Sequence, residues 1–365
     1  MYNFIAIHPA GLGDTLEDLI LFKAILKSNE NIKIHYICNY FSKELIDISN
    51  VRPLYTHPIN KKRKININNI KEIISCPKNA DLAYVFPGMN LKKIGPLKYF
   101  LYPKKYIGAL LDYPVRNLKH IIPKNNMFDK VHYGLSGYQR LKLNKYYLSK
   151  YMEIGKLDFN ILNNEKIVND NLIEDFNSKE SYIVIHIGSS HEYPIRSLGV
   201  KKWQQLINEI IQHYSLKVVF VGDPNEVVII NKIINSIDSN NVINLAGKTS
   251  IKQLAKLILN AKIVISSDSG PGQIAGIMKK KQIMLFGPTK HTLANPINTN
   301  CIKIYRQYEC SPCYESVDYY NCPYDSKCLN EISIESIFES IALVAKTNFI
   351  KTIIDGDFVE RCFSD

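Results

Sequence analysis

The stretch IAIHPAGLGDTL (residues 5–16) runs from a short apolar strand through a glycine-containing turn into a helix. It carries an acid, Asp14, where the turn becomes the helix. A helix N-terminus offers free N–H groups and the positive end of the dipole, which suit a phosphate. Asp14 would repel one. The turn also lacks the Lys-Ser/Thr of a Walker loop and the third glycine of a dinucleotide fingerprint. Asp14 therefore reads as a helix cap, or as a catalytic base whose phosphate-bearing substrate is held elsewhere. His8, at the strand end, reads as a structural residue rather than a ligand.

A second stretch, SSDSGPGQIAG (266–276), ends a strand at Asp268 and turns through Ser269, Gly270 and Pro271 into a helix. Proline suits the first helical position because its missing N–H would be unpaired there anyway, and Gly270 lets another group approach the backbone. Two readings stay open: a cradle for a diphosphate, or a plain Asp/Ser cap worth about 1 kcal/mol. In VFVGDPNEVVI (219–229), Gly222 precedes a loop and Glu226 stands early in the next helix. An acid there can bind ribose hydroxyls or simply complement the helix dipole. HIGSSHEYPIRSLGVKKW (186–203) adds the hydroxyls of Ser189 and Ser190 and the cation Arg196. Arg196 can neutralise a phosphate or lie on the surface.

Of eight cysteines, four cluster as C-x2-C-x8-C-x5-C at Cys310, Cys313, Cys322 and Cys328. The spacing can furnish thiolates for a structural zinc or iron. Reduced thiols are the alternative, and a cytosolic setting argues against disulfides. Four protein ligands would leave no open position for a substrate, so such a metal would be structural. Asp355-Gly356-Asp357 has the form of a D-x-D metal site but stands far from any strand end and reads as a turn.

These residues need elements to position them. Strand-like runs alternate with amphipathic helical stretches. FIAIHPA (4–10), KIHYICN (33–39) and DLAYVFP (81–87) stand in the first half, with helices expected from about Leu16 to Lys27 and near 42–49. YIVIHIG (182–188), KVVFVGD (217–223), VINLAG (242–247), KIVISSD (262–268) and QIMLFGP (282–288) stand in the second, with helices near 200–214, 225–236, 250–260, 271–279 and 333–347. Continuous Ile/Val-rich strands separated by helices indicate parallel sheets covered on both faces. IAIHPAGLGD and IVIHIGSSHE begin the two halves alike. The expectation is an α/β chain of two Rossmann-like domains, 1–165 and 180–345, joined by a polar Asn/Asp-rich linker and followed by a tail, 346–365.

Residues 51–150 hold 20 Lys/Arg and 4 Asp/Glu, so this stretch carries +16 of a net +12 and the rest carries −4. It reads either as a lysine-rich solvated surface or as a face for an anionic partner, a phosphorylated lipid, a membrane surface or nucleic acid. No zinc-finger, RRM or helix-turn-helix signature supports nucleic acid. No apolar run approaches the roughly 18 residues of a membrane span, and a strand begins within four residues of the start with no signal-peptide pattern. A cytoplasmic protein is expected.

The order GLGDTLEDLILFKAI, IHIGSS…R…KKW, VFVGDPNE, INLAGKTSIKQLAKLILNAKIVISSDSGP, MLFGPT and C-x-x-C…NCPYDSKCL resembles glycosyltransferase family 9, the ADP-heptose:lipopolysaccharide heptosyltransferases and their relatives. The resemblance is dense over 180–345 and rests on the GLGD turn in the first half. It implies a glycosyltransferase-B fold, two Rossmann-like domains facing across a cleft, and inverting, metal-independent transfer. It implies that Asp14 is the general base, with Gly11 and Gly13 on the acceptor side. Ser189, Ser190, Arg196, Gly222, Glu226, Asp268, Ser269 and Gly270 would bind the nucleotide sugar, as would the loop of Gly247, Lys248 and Thr249. The family pattern D-S-G-P-x-H is broken by Gln273, which can donate a hydrogen bond but carries no charge. The implied partners are a nucleotide-sugar donor, ADP-heptose by family default, and an anionic glycolipid acceptor such as lipooligosaccharide. The acceptor would be met at the inner face of the cytoplasmic membrane. Transfer to a protein acceptor, and a noncatalytic sugar-nucleotide-binding subunit, are the alternatives.

Overall fold

In a computed structural model, the described residues are 1–59, 70–111, 127–134, 140–168, 176, 180–188, 196–214, 216–237, 240–292, 294, 301–313, 322–345, 352–354 and 357–362. The chain divides into two compact units, Met1–Asn163 and Asn164–Asp365.

The first unit runs β1 (Tyr2–Ile7), α1 (Leu12–Ser28), β2 (Ile32–Asn39), α2 (Tyr40–Asp47), β3 (Leu54–Ile59) and α3 (Ile70–Ile74). It continues through β4 (Leu82–Val85), α4 (Leu91–Ile94), α5 (Lys98–Leu101), β5 (Tyr106–Leu111), β6 (Lys130–Gly134) and α6 (Arg140–Leu148). Its six strands are all parallel, in the order β3-β2-β1-β4-β5-β6. β1 and β4 are fully buried from Phe4 and Leu82 onward, as strands covered on both faces must be. Ile5, Ile7, Ile37, Val85, Leu91, Ile94, Leu97 and Leu101 form one core layer. Phe22 packs edge-on against Phe4, Tyr36 and Phe86, at ring separations of 5.0–6.4 Å.

The second unit runs α7 (Asn164–Val168), β7 (Tyr182–His186), α8 (Val200–His213), β8 (Lys217–Phe220), α9 (Val227–Ile234), β9 (Val242–Asn244), α10 (Ile251–Asn260) and β10 (Ile263–Ser267). Then come α11 (Gly270–Ile277), β11 (Gln282–Phe286), β12 (Cys301–Tyr305), α12 (Lys327–Asn330), α13 (Ile334–Ala345), β13 (Thr352–Ile354) and β14 (Asp357–Cys362). Its sheet is ordered β13-β14-β12-β11-β10-β7-β8-β9. From β12 to β9 the strands are parallel and repeat the order of the first unit, with β7 and β10 standing where β1 and β4 stand. Each sheet reverses its winding between those two strands, and in such sheets ligands bind outside the C-terminal strand ends at that point. Helices cover the faces with residues at 3- and 4-residue spacing: Trp203, Leu206, Ile207 and Ile210 on α8. Ser250 and Gln253 cap α10 reciprocally, at 3.1 and 2.9 Å.

Within the tail, residues 346–365, β13 and β14 join the second sheet. β14 lies antiparallel to β12, and β13 antiparallel to β14. The order Thr-Ile-Ile then Asp-Phe-Val-Glu-Arg-Cys is short and weakly patterned, and the open edge of β12 supplies the pairing partner that the sequence alone does not reveal. Asp355 and Gly356, expected as a turn, lie outside the described residues.

Two histidines of the first sheet are held neutral. His35 is lowered to about 4 by burial first, then by His57 and Lys33. Its Nδ1 meets His57 Nε2 at 3.3 Å. His132 is lowered to about 4 by burial, then by Lys130 and Lys150, and its Nε2 meets the Tyr151 hydroxyl at 2.9 Å. An unfolded histidine titrates near 6.5. The unfolded chain therefore binds more protons below that pH, and stability present above about 6.5 is lost as pH falls toward 4. Folding stability should drop between pH 7 and pH 5 by on the order of 1 kcal/mol per histidine after solvent screening, read as a fall in melting temperature. A His35→Gln/His132→Gln chain should show a flatter profile over the same range.

Candidate active-site residues

In the first unit, α1 begins at Leu12, four residues before the expected start, so Asp14 occupies the first helical turn. Its Oδ2 accepts the Gly11 N–H at 3.3 Å, half of a capping box. Its Oδ1 is ion-paired with the Arg140 guanidinium at the start of α6. The carboxylate remains 31% exposed and the guanidinium 26%. Gly11 also bonds Thr15 through its carbonyl, to the N–H and to the Oγ1 at 3.0 Å each. Thr15 Oγ1 in turn meets Ser42 Oγ at 2.8 Å.

The turn that carries Asp14 rests on a buried polar network. Asp18, one helical turn after Asp14, is almost fully buried. Its Oδ2 lies 2.6 Å from His8 Nδ1 and accepts the Tyr36 hydroxyl at 2.6 Å. Burial pushes the Asp18 carboxyl well up from the ordinary range, and the Tyr36 hydrogen bond opposes the shift. His8 stacks on Phe86 at 5.1 Å, and Asn39 Nδ2 holds the Ala10 carbonyl at 2.8 Å. His8 is thus a buried positioning residue, in keeping with its structural reading.

In the second unit, three of the expected stretches meet at the C-terminal ends of β7, β8 and β10. Gly188 has φ +75°, and a Cβ there would lie 2.5 Å from Ser267 Cβ and 3.0 Å from the Arg196 carbonyl. The backbones after β7 and β10 therefore approach closely. Glu226 is buried: Oε2 accepts the Asp223 N–H at 2.8 Å and lies 3.4 Å from His186 Nε2. Among the described residues, Glu226 Oε1 has no hydrogen-bond partner. A Cβ at Gly222 would stand 2.4 Å from Glu226 Oε2, so only glycine fits beside this acid. Gly247, with φ +70°, bonds its N–H to the Gly222 carbonyl at 2.9 Å. This ties the loop of exposed Lys248 and half-buried Thr249 to the loop of Glu226.

Ser269 caps α11, its Oγ accepting the Gly272 N–H at 3.5 Å, with Pro271 in the first turn. Asp268 and Gly270 are half-buried beside it. Gln273 Nε2 donates to the Ala294 carbonyl at 3.2 Å. Ser189 and Ser190 lie outside the described residues.

The four clustered cysteines are free thiols. Burial pushes the Cys328 thiol up to about 11, followed by the influence of Cys313, with Ser311 opposing and Cys322 and Cys310 adding. The thiols are neighbours, yet among the described residues no three His, Cys, Asp or Glu converge as metal ligands. The Cys313 backbone and the Cys328 side chain both lie beside Gly287 and Pro288. The Cys313 N–H donates to the Pro288 carbonyl at 2.9 Å, and a Cβ at Gly287 would lie 3.1 Å from Cys328 Sγ.

Sequence reasoning missed Arg140 and Asp18. Arg140 stands 126 residues from Asp14 in a segment read only as basic. Asp18 falls at i+4 from Asp14, a spacing that puts both on one face of α1 and could have signalled the pair.

The family described as glycosyltransferase family 9 (heptosyltransferase) matches residues 140–323, just over half of the chain. Lipooligosaccharide heptosyltransferase 2 of Campylobacter jejuni is 30% identical over 161 residues, 44% of this chain and 43% of the relative. Against that relative the chain spans less than half the length. Lipopolysaccharide heptosyltransferase 1 of Campylobacter coli is 25% identical over 311 residues, 82% of this chain and 87% of the relative. The solved Escherichia coli ADP-heptose lps heptosyltransferase II superposes with a TM-score of 0.62 at 17% identity, covering 94% of this chain and 98% of that one. That likeness shows the glycosyltransferase-B fold.

Removing the buried acceptor under the turn tests the network. Asp18→Ala should cost about 2–4 kcal/mol, because His8 and the Tyr36 hydroxyl lose their partner in the interior. Tyr36→Phe should cost about 1 kcal/mol. Urea unfolding followed by circular dichroism measures both; equal, negligible losses would mean that the network contributes nothing.

Proposed function

The chain belongs to glycosyltransferase family 9, and we propose that it moves a sugar from a nucleotide sugar to a hydroxyl of an anionic surface glycolipid, with inversion and with Asp14 as the base. The observation that carries this reading is the environment of Asp14. It is a half-exposed carboxylate at the C-terminal end of β1, oriented through one oxygen by the Gly11 N–H and through the other by Arg140. The acceptor hydroxyl gives its proton to Asp14 as its oxygen attacks the anomeric carbon, on the face opposite the departing nucleoside diphosphate. The C–O bond to the diphosphate breaks and its electron pair leaves with the phosphate oxygen. The α11 N-terminus at Ser269 and Gly270, together with Arg196, offsets the charge that develops there. Glu226 Oε1, buried and without a partner among the described residues, is the oxygen suited to accept a ribose hydroxyl.

ADP-heptose as donor and a lipooligosaccharide core as acceptor are supported by the names of the Campylobacter relatives and of the Escherichia coli structure. The +16 of residues 51–150 suits an acceptor that carries phosphate or carboxylate. Arg140 has a double use in this reading. It holds Asp14 while the site is empty, and it is the cation nearest the base when an anionic acceptor arrives.

Asp14→Asn should lower kcat roughly 10²–10⁴-fold while calorimetric affinity for the donor stays unchanged. Full turnover in that variant would remove Asp14 as the base. Arg140→Ala should lower kcat by roughly 10²-fold, since the carboxylate loses its orientation. Titration with ADP, GDP and UDP and their sugar conjugates identifies the donor: selective ADP binding that weakens in Arg196→Ala is the expected outcome.

A further inference from the structure

The outer surface of α3 and α5 carries large apolar side chains that no described residue of the first unit covers. Ile74 is 53% exposed, Tyr99 61%, Phe100 45% and Tyr102 59%. The two helices pack on each other. Their ends are stitched together by Asn79 N–H to the Leu101 carbonyl at 3.2 Å and Lys104 N–H to the Ala80 carbonyl at 2.8 Å. Tyr99, Phe100 and Tyr102 follow one another at the end of α5, beside the packed end of α3 that carries Ile74, in a protein whose other large apolar residues are mostly buried.

The neighbouring charge is cationic: Lys71 on α3, Lys78 just after it and Lys93 on α4 are exposed. Of the nearby acids, Asp81 is taken up by Lys104 and the Asn3 N–H, and Asp129 by Lys98 and the Tyr106 N–H. Among the described residues here, Glu72 is left to answer three lysines. Aromatic rings with a polar edge settle at the headgroup level of a bilayer, and lysines beside them meet anionic lipid. We propose that this α3–α5 surface docks the protein on an anionic lipid bilayer.

A second copy of the chain fits less well, because a two-fold contact would set these lysines against one another. Single-stranded nucleic acid also fits less well. It is gripped in a basic groove by stacking rings, whereas these side chains stand clear of the surface and include an isoleucine with no face to stack. The surface lies at the N-terminal ends of β4 and β5, and Asp14 lies beyond the C-terminal end of β1. Docking can thus be tested without disturbing the base. The inference deepens the reading of a glycolipid acceptor, but it is read out without turnover.

The test is sedimentation of the full chain with vesicles of phosphatidylcholine alone, and with one part in three of phosphatidylglycerol, at low and high salt. The wild type should pellet with the anionic vesicles and much less with the neutral ones. A Tyr99→Ser/Phe100→Ser/Tyr102→Asn chain should lose at least about tenfold in partitioning with an unchanged melting temperature. Asparagine is chosen at 102 because that residue has φ 46°. A Lys71→Gln/Lys93→Gln chain, which leaves the rings intact, should bind more weakly and lose salt dependence. Equal pelleting of wild type and triple variant would overturn the proposal, as would no pelleting of the wild type. So would a dimer, or binding to a single-stranded oligonucleotide, that the triple variant abolishes while vesicle binding is absent. Transfer to a delipidated, soluble acceptor should be unchanged in the triple variant, so a failure of docking is separable from a failure of the catalytic reading.

Discussion

A single buried carboxylate, Asp18, governs the geometry of the first unit. Taking it out of water is costly unless donors replace the lost hydration, and both of its donors come from elements that frame the β1–α1 turn. His8 arrives from the end of β1 and the Tyr36 hydroxyl from β2. Both donors meet one oxygen, Oδ2, and so tie the end of β1 and β2 to α1, while Oδ1 has no hydrogen-bond partner among the described residues. Asp14 stands one turn earlier on the same face of α1. The half-exposed acid sits on the helix that the buried one ties down.

The second unit reaches its geometry by a different route. It has the same strand order around β7 and β10, but close backbone approach replaces the polar network there. A Cβ would lie 2.5 Å from the Ser267 side chain at Gly188, 2.4 Å from the Glu226 carboxylate at Gly222 and 3.1 Å from Pro224 Cα at Gly247. Glycines at these three positions let the loops after β7, β8 and β9 lie close to their neighbours.

Much of this was legible in the residues. Near-continuous Ile/Val runs marked β7, β8, β10 and β11, because parallel strands covered on both faces must be apolar throughout. β3, β5 and β6 were harder: LYTHPI contains a proline and a histidine, and KVHYG is short, so neither has a clean period. The start of α1 was placed too late because Gly11 and Gly13 read as turn. The structure makes Gly11 the cap, with its N–H answered by Asp14. Arg140 was invisible for a more basic reason. An ion pair between residues far apart in the chain leaves no trace in local pattern. The same holds for the pairing of β12 with β14, which is fixed by an unfilled sheet edge.

Gln273 bears on how substitutions at that position are interpreted. Its amide ties the first turn of α11 to the segment after β11 through the Ala294 carbonyl. Restoring a histidine would change two things at once, adding an ionisable ring and altering the tether. A gain or loss of function from that exchange would not by itself report on charge. Position 273 is a mechanical joint as well as a chemical address, and genetics at this site must be read with a neutral, tether-breaking control such as methionine alongside.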